Sequence, residues 1–139
     1  MRGYHQDEKY VEAMGYYLSG QWEEAESAFE SLDARFPNEP FIKILRGNID
    51  YSRGNLDTAV ERYREAVAID STIGNAYYKL GVCLYRMGDL KEALDAFERV
   101  LEMGSQSHAM ASYFVGLINF FLGEDEDASK AFASFHKAS

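Results

Sequence analysis

Apolar residues return along this chain at three- and four-residue intervals, in stretches broken by short polar turns. Between Asn75 and Met87 they fall at Tyr77, Leu80, Gly81 and Leu84, and between Leu90 and Met103 at Ala93, Leu94, Phe97, Val100 and Leu101. That spacing predicts two amphipathic helices. Gly88 stands where the first must end in a left-handed residue, and Asp89 is placed to cap the second. The same unit recurs. Gly47, Gly54, Ala59 and Tyr63 are followed 34 residues later by Gly81, Gly88, Ala93 and Phe97. Gly116, Gly123, Ala128 and Phe132 follow after 35 more, and Ala13, Gly20, Ala25 and Phe29 fill the same slots 34 earlier than the Gly47 set. Four helix pairs are expected, over 6–39, 40–73, 74–108 and 109–139, in one domain spanning 1–139. A unit this short cannot bury its apolar face alone, so it stacks on its neighbours.

The small residues have a packing reason. Gly47, Gly81 and Gly116 are expected where the two helices of a pair cross, with Ala25, Ala59, Ala93 and Ala128 opposite and Phe29, Tyr63, Phe97 and Phe132 filling the space above. Asn55 is expected to cap like Asp89. Gln21 and Glu124 are poorer caps, so the first and fourth turns are expected to fray more easily. Asn119 takes the slot of Leu84, and one extra residue enters the Gly104 to His108 connection.

Composition narrows the function. The 139 residues carry a net charge of −9, without a basic stripe, which argues against nucleic acid and anionic membrane surfaces as partners. Most of the excess lies in the first repeat, where nine acidic residues face two basic ones. It reads as a solvated outer face or, more pointedly, as a patch for a basic partner. Apolar runs stop well short of a membrane span, so no membrane insertion is expected. Arg2 to Glu12 is too polar for a signal peptide, and a cytoplasmic location is expected. A single cysteine, Cys83, excludes an internal disulfide framework and reads as a small buried hydrophobe.

Enzyme chemistry finds no foothold. His5, His108 and His136 lie far apart without metal-ligand spacing, and the glycines form no phosphate loop. Glu124, Asp125, Glu126 and Asp127 form an acidic run at a helix start, where acids complement the macrodipole. No catalytic, cofactor or metal site is expected.

The pattern resembles the tetratricopeptide repeat family. The third repeat matches best, from Ala76-Tyr77-Tyr78-Lys79-Leu80-Gly81 through Gly88-Asp89-Leu90-Lys91-Glu92-Ala93 to Phe97. Ser105 replaces the usual closing proline, and Ala13 replaces the first repeat's first glycine. The resemblance implies an all-α fold, a right-handed superhelix (α-solenoid) of antiparallel helix pairs. It also implies a groove built from the second, fifth, ninth, twelfth and thirteenth positions of each repeat. In this chain those positions give Tyr10, Met14, Tyr17, Ile44, Asn48, Tyr51, Tyr78, Val82, Tyr85, Arg86, Tyr113, Leu117 and Phe120, with Leu18, Phe41, Asn75, Met110 and Phe121 beside them. Tyrosine gives a large contact area and a hydroxyl for a ligand backbone, though such residues also pack one repeat on the next. Asn48 follows the repeat glycine, where family members bond an extended peptide; a helix-surface amide is the plainer reading. The clamp that grips a terminal carboxylate is not supplied, because its slots hold Tyr10, Met14, Leu45, Asn75 and Lys79 in one frame and Ile44, Asn48, Lys79, Met110 and Phe114 in the other.

A non-enzymatic protein-binding module is therefore expected, an adaptor, scaffold or chaperone-like protein that holds a peptide or amphipathic helix of a partner. The rival is self-assembly into a homo-oligomer through the groove or through the C-terminal end. Family arrays carry one further helix there, and its absence is expected to leave Phe132 and Phe135 with an uncovered flank.

Overall fold

The computed structural model describes residues 3–104 and 108–138. The connection with the extra residue, 105–107, lies outside the described residues. Among them run a short 3-10 turn, Tyr4–Gln6, and eight α-helices: α1 (Glu8–Leu18), α2 (Trp22–Arg35), α3 (Pro40–Ser52), α4 (Leu56–Ile69), α5 (Gly74–Arg86), α6 (Leu90–Met103), α7 (His108–Phe121) and α8 (Asp125–Ala138). These are the expected four pairs. The chain forms two compact units, Met1–Asp70 and Ser71–Ser139. Each holds two helix pairs.

One backbone device makes all four turns within pairs. At the end of α5, Gly88 takes φ 84°, a conformation costly for any residue with a Cβ. Its N–H donates to the Tyr85 carbonyl, and the next N–H, of Asp89, reaches back to Leu84 at 2.9 Å. These two bonds are the Schellman closure. They recur as Gln21 to Tyr16, Asn55 to Asp50 and Glu124 to Asn119. The expected difference in capping does not appear. Gln21, Asn55 and Asp89 alike make no side-chain bond to the helix they precede. The reason is conformational. With the N–H groups of these residues committed backwards, each holds ψ near 70–77° and leaves its side chain away from the first turn. The exception is α1, where Asp7 follows the 3-10 turn with extended backbone, ψ 133°, instead of a Schellman closure. There the Asp7 side chain accepts from the Lys9 N–H at 2.8 Å and pairs with Arg35 at 2.6 Å.

The crossings are as tight as expected. A Cβ on Gly47 would sit 2.7 Å from the Tyr63 ring, one on Gly81 2.8 Å from Phe97, and one on Gly116 2.5 Å from Phe132. Gly15, by contrast, faces open space. Ala13 fills the same slot in the first pair and is fully buried with Ala25 and Phe29. That core also holds Ala28, Leu32, Ile42 and Ile49, and Tyr4 of the 3-10 turn. Burial, and less so Glu39 and Tyr10, pushes the Tyr4 hydroxyl up to about 12. The second unit is centred on Leu80, Leu84, Phe97, Val100, Val115 and Ile118.

One buried carboxylate of the first unit is held by ion pairs. Asp33 receives Lys43 at 2.7 Å and Arg46 at 2.6 Å, and Lys43 continues to Glu65 at 3.2 Å. Asp50 is different. It is buried on α3, and burial raises its carboxyl above the ordinary value, against the pull of Arg62, Arg46 and Arg53.

Candidate functional site

In the first unit the groove residues lie on α1 and α3, and several are already engaged. Tyr10 is half-buried, edge-on to Tyr4 at 5.2 Å and close to His5 at 5.5 Å, so the chain's own 3-10 turn covers part of it. Tyr17 stands edge-on to Trp22 at 5.8 Å and to Phe29 at 6.3 Å. Met14 packs on the core cluster beside them. Ile44 is buried, at 4% exposure, and offers little to a ligand. Tyr51 is half-buried on α3.

Asn48 is neither an empty peptide hook nor a bare surface amide. Its Nδ2 donates to the Tyr17 hydroxyl at 3.2 Å, and its Oδ1 accepts from the Tyr63 hydroxyl at 2.6 Å. The amide thus joins α1, α3 and α4. Sequence reasoning missed both partners because each comes from a different helix. Arg46, beside it, is held by Asp33. An open depression of about 380 Å³ lies elsewhere on this unit, lined by Lys9, Glu12, Tyr16, Glu23, Glu24, Ser27 and Ala28. It belongs to the acidic first repeat, and none of the groove residues lines it.

In the second unit the residues on α5 and α7 meet around a ring that the groove reading did not include. Phe114 stacks flat on Phe97, centroids 4.7 Å apart and planes within 2°. Tyr85 meets its edge at 5.2 Å, Tyr78 at 6.3 Å and Tyr113 at 6.1 Å. Such tilted contacts add to plain area burial. One signal was available in the sequence: Phe114 occupies the slot where the third repeat has Lys79. Tyr78, Val82, Tyr85 and Leu117 are half-buried, and Arg86 is exposed. The tyrosines therefore anchor the helix pairs on one side and keep a partial face outward.

Exposed apolar residues occur on both units: Val11, Leu18 and Phe41 on the first, and on the second a run along α7. This helix has no Asp, Glu, Lys or Arg. Its inner side, Ala111, Val115 and Ile118, is buried. Its outer side shows Met110, Tyr113, Phe120 and Phe121, the last two 61% and 59% exposed, with Leu122 just beyond. The buried side also holds Ser112 and Asn119, so the most apolar residues of this helix are on its exposed side as well as its covered one. Phe132 and Phe135, expected to have an uncovered flank, pack on α7. Both are half-buried, with Tyr113 at 6.0 and 5.3 Å respectively.

Other candidate chemistry resolves simply. Cys83 is fully buried, and burial pushes its thiol up to about 11, outweighing Arg86 and Lys79. It is protonated at neutral pH and shielded, hence a core residue. Asp125, Glu126 and Asp127 occupy the first turn of α8. Among the described residues no group of three or more His, Cys, Asp or Glu is placed to hold a metal ion, and no helix is long and apolar enough to cross a membrane.

Paired helices, closed by one repeated turn and crossing at a glycine under an aromatic ring, define a helical repeat protein. Models of the tetratricopeptide repeat match residues 11–39 and 74–105, and a TPR repeat model matches 47–88, so together they cover more than half of the chain. The chain belongs to the tetratricopeptide repeat family. Human tetratricopeptide repeat protein 36 is 31% identical over 117 residues, 79% of this chain and 62% of that protein. The TPR repeat-containing protein MJ1428 of Methanocaldococcus jannaschii is 31% identical over 83 residues, 58% of this chain. The chain spans only 15% of that relative's length and less than two thirds of the human one. Among solved structures, MamA superimposes with a TM-score of 0.85 at 24% identity, over 91% of this chain and 74% of that one. The Yersinia enterocolitica type III secretion chaperone SycD, in complex with a peptide of the translocator YopD, gives 0.78 at 19% identity, over 86% and 95%. The first TPR of Spaghetti (RPAP3), bound to an HSP90 peptide, gives 0.73 at 22% identity, over 81% and 89%. At these identities the structures establish the all-α tetratricopeptide fold.

Proposed function

We propose that this protein is a non-enzymatic binding module that holds a peptide or an amphipathic helix of a partner protein against its first-helix face. The observation that carries the reading is α7, which has no Asp, Glu, Lys or Arg yet is exposed along Met110, Tyr113, Phe120 and Phe121. Beside it Tyr78 and Tyr85 stand on the Phe114 ring, fixed on one side and half-open on the other. Aromatic anchors held in place lose little entropy when a ligand arrives, and they are the side chains that dominate binding at interfaces. An apolar helix of the partner laid along such a stripe is the helix-in-groove mode. Two proteins of this fold hold peptides in their solved structures, SycD and the first TPR of Spaghetti.

The first unit plays a lesser part in this reading. Tyr10, Tyr17 and Asn48 are engaged and Ile44 is buried, which leaves the exposed Leu18 and Phe41 and the half-buried Met14 and Tyr51 as contributors. Affinity capture from a cell extract tests the function, with wild type against Tyr78→Ala/Tyr85→Ala. Loss of the captured partner with unchanged helical circular dichroism is the expected result. Full capture by the double variant removes the groove from the account.

A further inference from the structure

We propose that the end of α7 and the acidic turn after it form a docking surface for a basic amphipathic segment of a partner protein. The inference rests on the groove reading and adds to it the partner's charge and the place where that charge is met.

Two surfaces adjoin here. Phe120 and Phe121 stand edge-on to each other at 5.9 Å and are the most exposed aromatic residues of the second unit, with Leu122 beside them. Immediately after Gly123 come Glu124, Asp125, Glu126 and Asp127, all exposed. Among the described residues Lys130 pairs with Glu126, at 3.4 Å and on the surface. Negative charge is in excess around it as well. Burial raises the carboxyl of Glu98 on α6, and Asp95, Glu102 and Asp127 raise it further, a crowding of like charge across α6 and α8. Over residues 71–139 nine acidic residues stand against six basic ones. Macrodipole complementarity accounts for acids in the first turn of α8. It does not account for two bare phenylalanines next to them, since an exposed apolar patch edged with charge is the form of an interaction surface.

Charge chooses the occupant. A second copy of this chain brings −9 against the same acidic edge and is repelled. A partner segment with leucine or phenylalanine on one face and lysine or arginine at its end satisfies both halves. The aromatic pair supplies the contact area, and the carboxylates select and orient the segment, weakening with salt as exposed pairs do.

The test uses the whole chain and synthetic amphipathic helices of about four turns. They share one apolar face and carry at one end lysine, glutamine or glutamate. Binding is read by fluorescence anisotropy. The lysine peptide is expected to bind about tenfold tighter than the glutamate peptide, the sum of several weak exposed pairs. The variant Glu124→Gln/Asp125→Asn/Glu126→Gln/Asp127→Asn is expected to erase that preference. The variant Phe120→Ser/Phe121→Ser, at solvent-facing positions that do not support the core, is expected to lower binding of all three, with thermal melts confirming that both variants fold. Equal binding of the lysine and glutamate peptides overturns the proposal. So does full binding by the phenylalanine variant, or a concentration-dependent dimer that the phenylalanine variant dissolves. The groove reading falls separately: it is lost if Tyr78→Ala/Tyr85→Ala leaves the glutamine peptide bound as before. If that peptide is lost with the tyrosines but kept without the phenylalanines, the groove stands and the docking surface does not.

Discussion

Replacing Gly81 with leucine tests the packing rule that builds every pair. A Cβ at Gly81 lies 2.8, 2.9 and 3.0 Å from three atoms of the Phe97 ring, where ordinary carbon contacts begin at roughly 3.5 Å. The ring has no free direction of retreat. Phe97 is fully buried and stacked 4.7 Å from Phe114, which in turn touches Tyr78, Tyr85 and Tyr113. Removing a glycine from a helix interior gains about 1 kcal/mol in propensity. Forcing a branched side chain into the crossing costs more, and the net expectation is a loss of about 1–3 kcal/mol. Gly15 is the control, because its Cβ would meet nothing within 4 Å. Gly15→Leu therefore keeps the propensity gain of about 1 kcal/mol without the clash. Far-ultraviolet circular dichroism melts should lower the midpoint by about 3–5 °C per kcal/mol lost for Gly81→Leu and raise it for Gly15→Leu. Phe97→Ala added to Gly81→Leu should cost about 1–3 kcal/mol less than the two separate losses combined, because the space it opens is the space the leucine needs. Two glycine variants that melt alike, or a strictly additive cycle, refute the crossing as the source of the constraint.

Three further outcomes are expected. Asp33→Ala should cost about 2–3 kcal/mol in urea denaturation, somewhat less than a fully buried pair because Lys43 and Arg46 are 13% and 15% exposed and Lys43 keeps Glu65. Asp50→Asn should stabilise the protein at neutral pH. Burial raises the Asp50 carboxyl above 3.8 in the folded state, so folding takes up a proton between that value and the raised one, and wild-type stability falls as pH rises through this window. Melts against pH should show the variant flatter there; a variant less stable at neutral pH contradicts the burial argument. Cys83 should not react with a thiol reagent at neutral pH until the protein unfolds, since its thiol is buried and pushed up to about 11. Fast labelling of the native chain contradicts that.

Helix pairs, their boundaries and the glycine crossings were legible in the sequence because each follows from local periodicity and a small residue at a fixed interval. The crossing glycines also repeat, so three positions report the same contact. Capping was misread because side-chain preference competes with a backbone closure that only the assembled turn reveals, as at Asn55 and Asp89. The groove was half legible. Position within the repeat places Tyr78, Tyr85, Tyr113 and Phe120 on first helices, but not how far each ring is spent on its neighbours. Asn48 needs Tyr17 and Tyr63, residues 31 and 15 positions away, and no spacing rule joins them. Phe114 was passed over because repeat logic asks which slots match, and this one differs from its counterpart Lys79.

The bond pair at Asn48 limits how far these units can be exchanged. Its amide is satisfied from one side by a tyrosine of the preceding pair and from the other by a tyrosine of its own. Transplanted behind a pair with no hydroxyl at the Tyr17 slot, the second helix pair would carry an amide hydrogen facing phenylalanine or leucine. Duplication and shuffling of the gene segment would thus be tolerated in some orders and penalised in others, so the order of repeats carries information that their common pattern conceals.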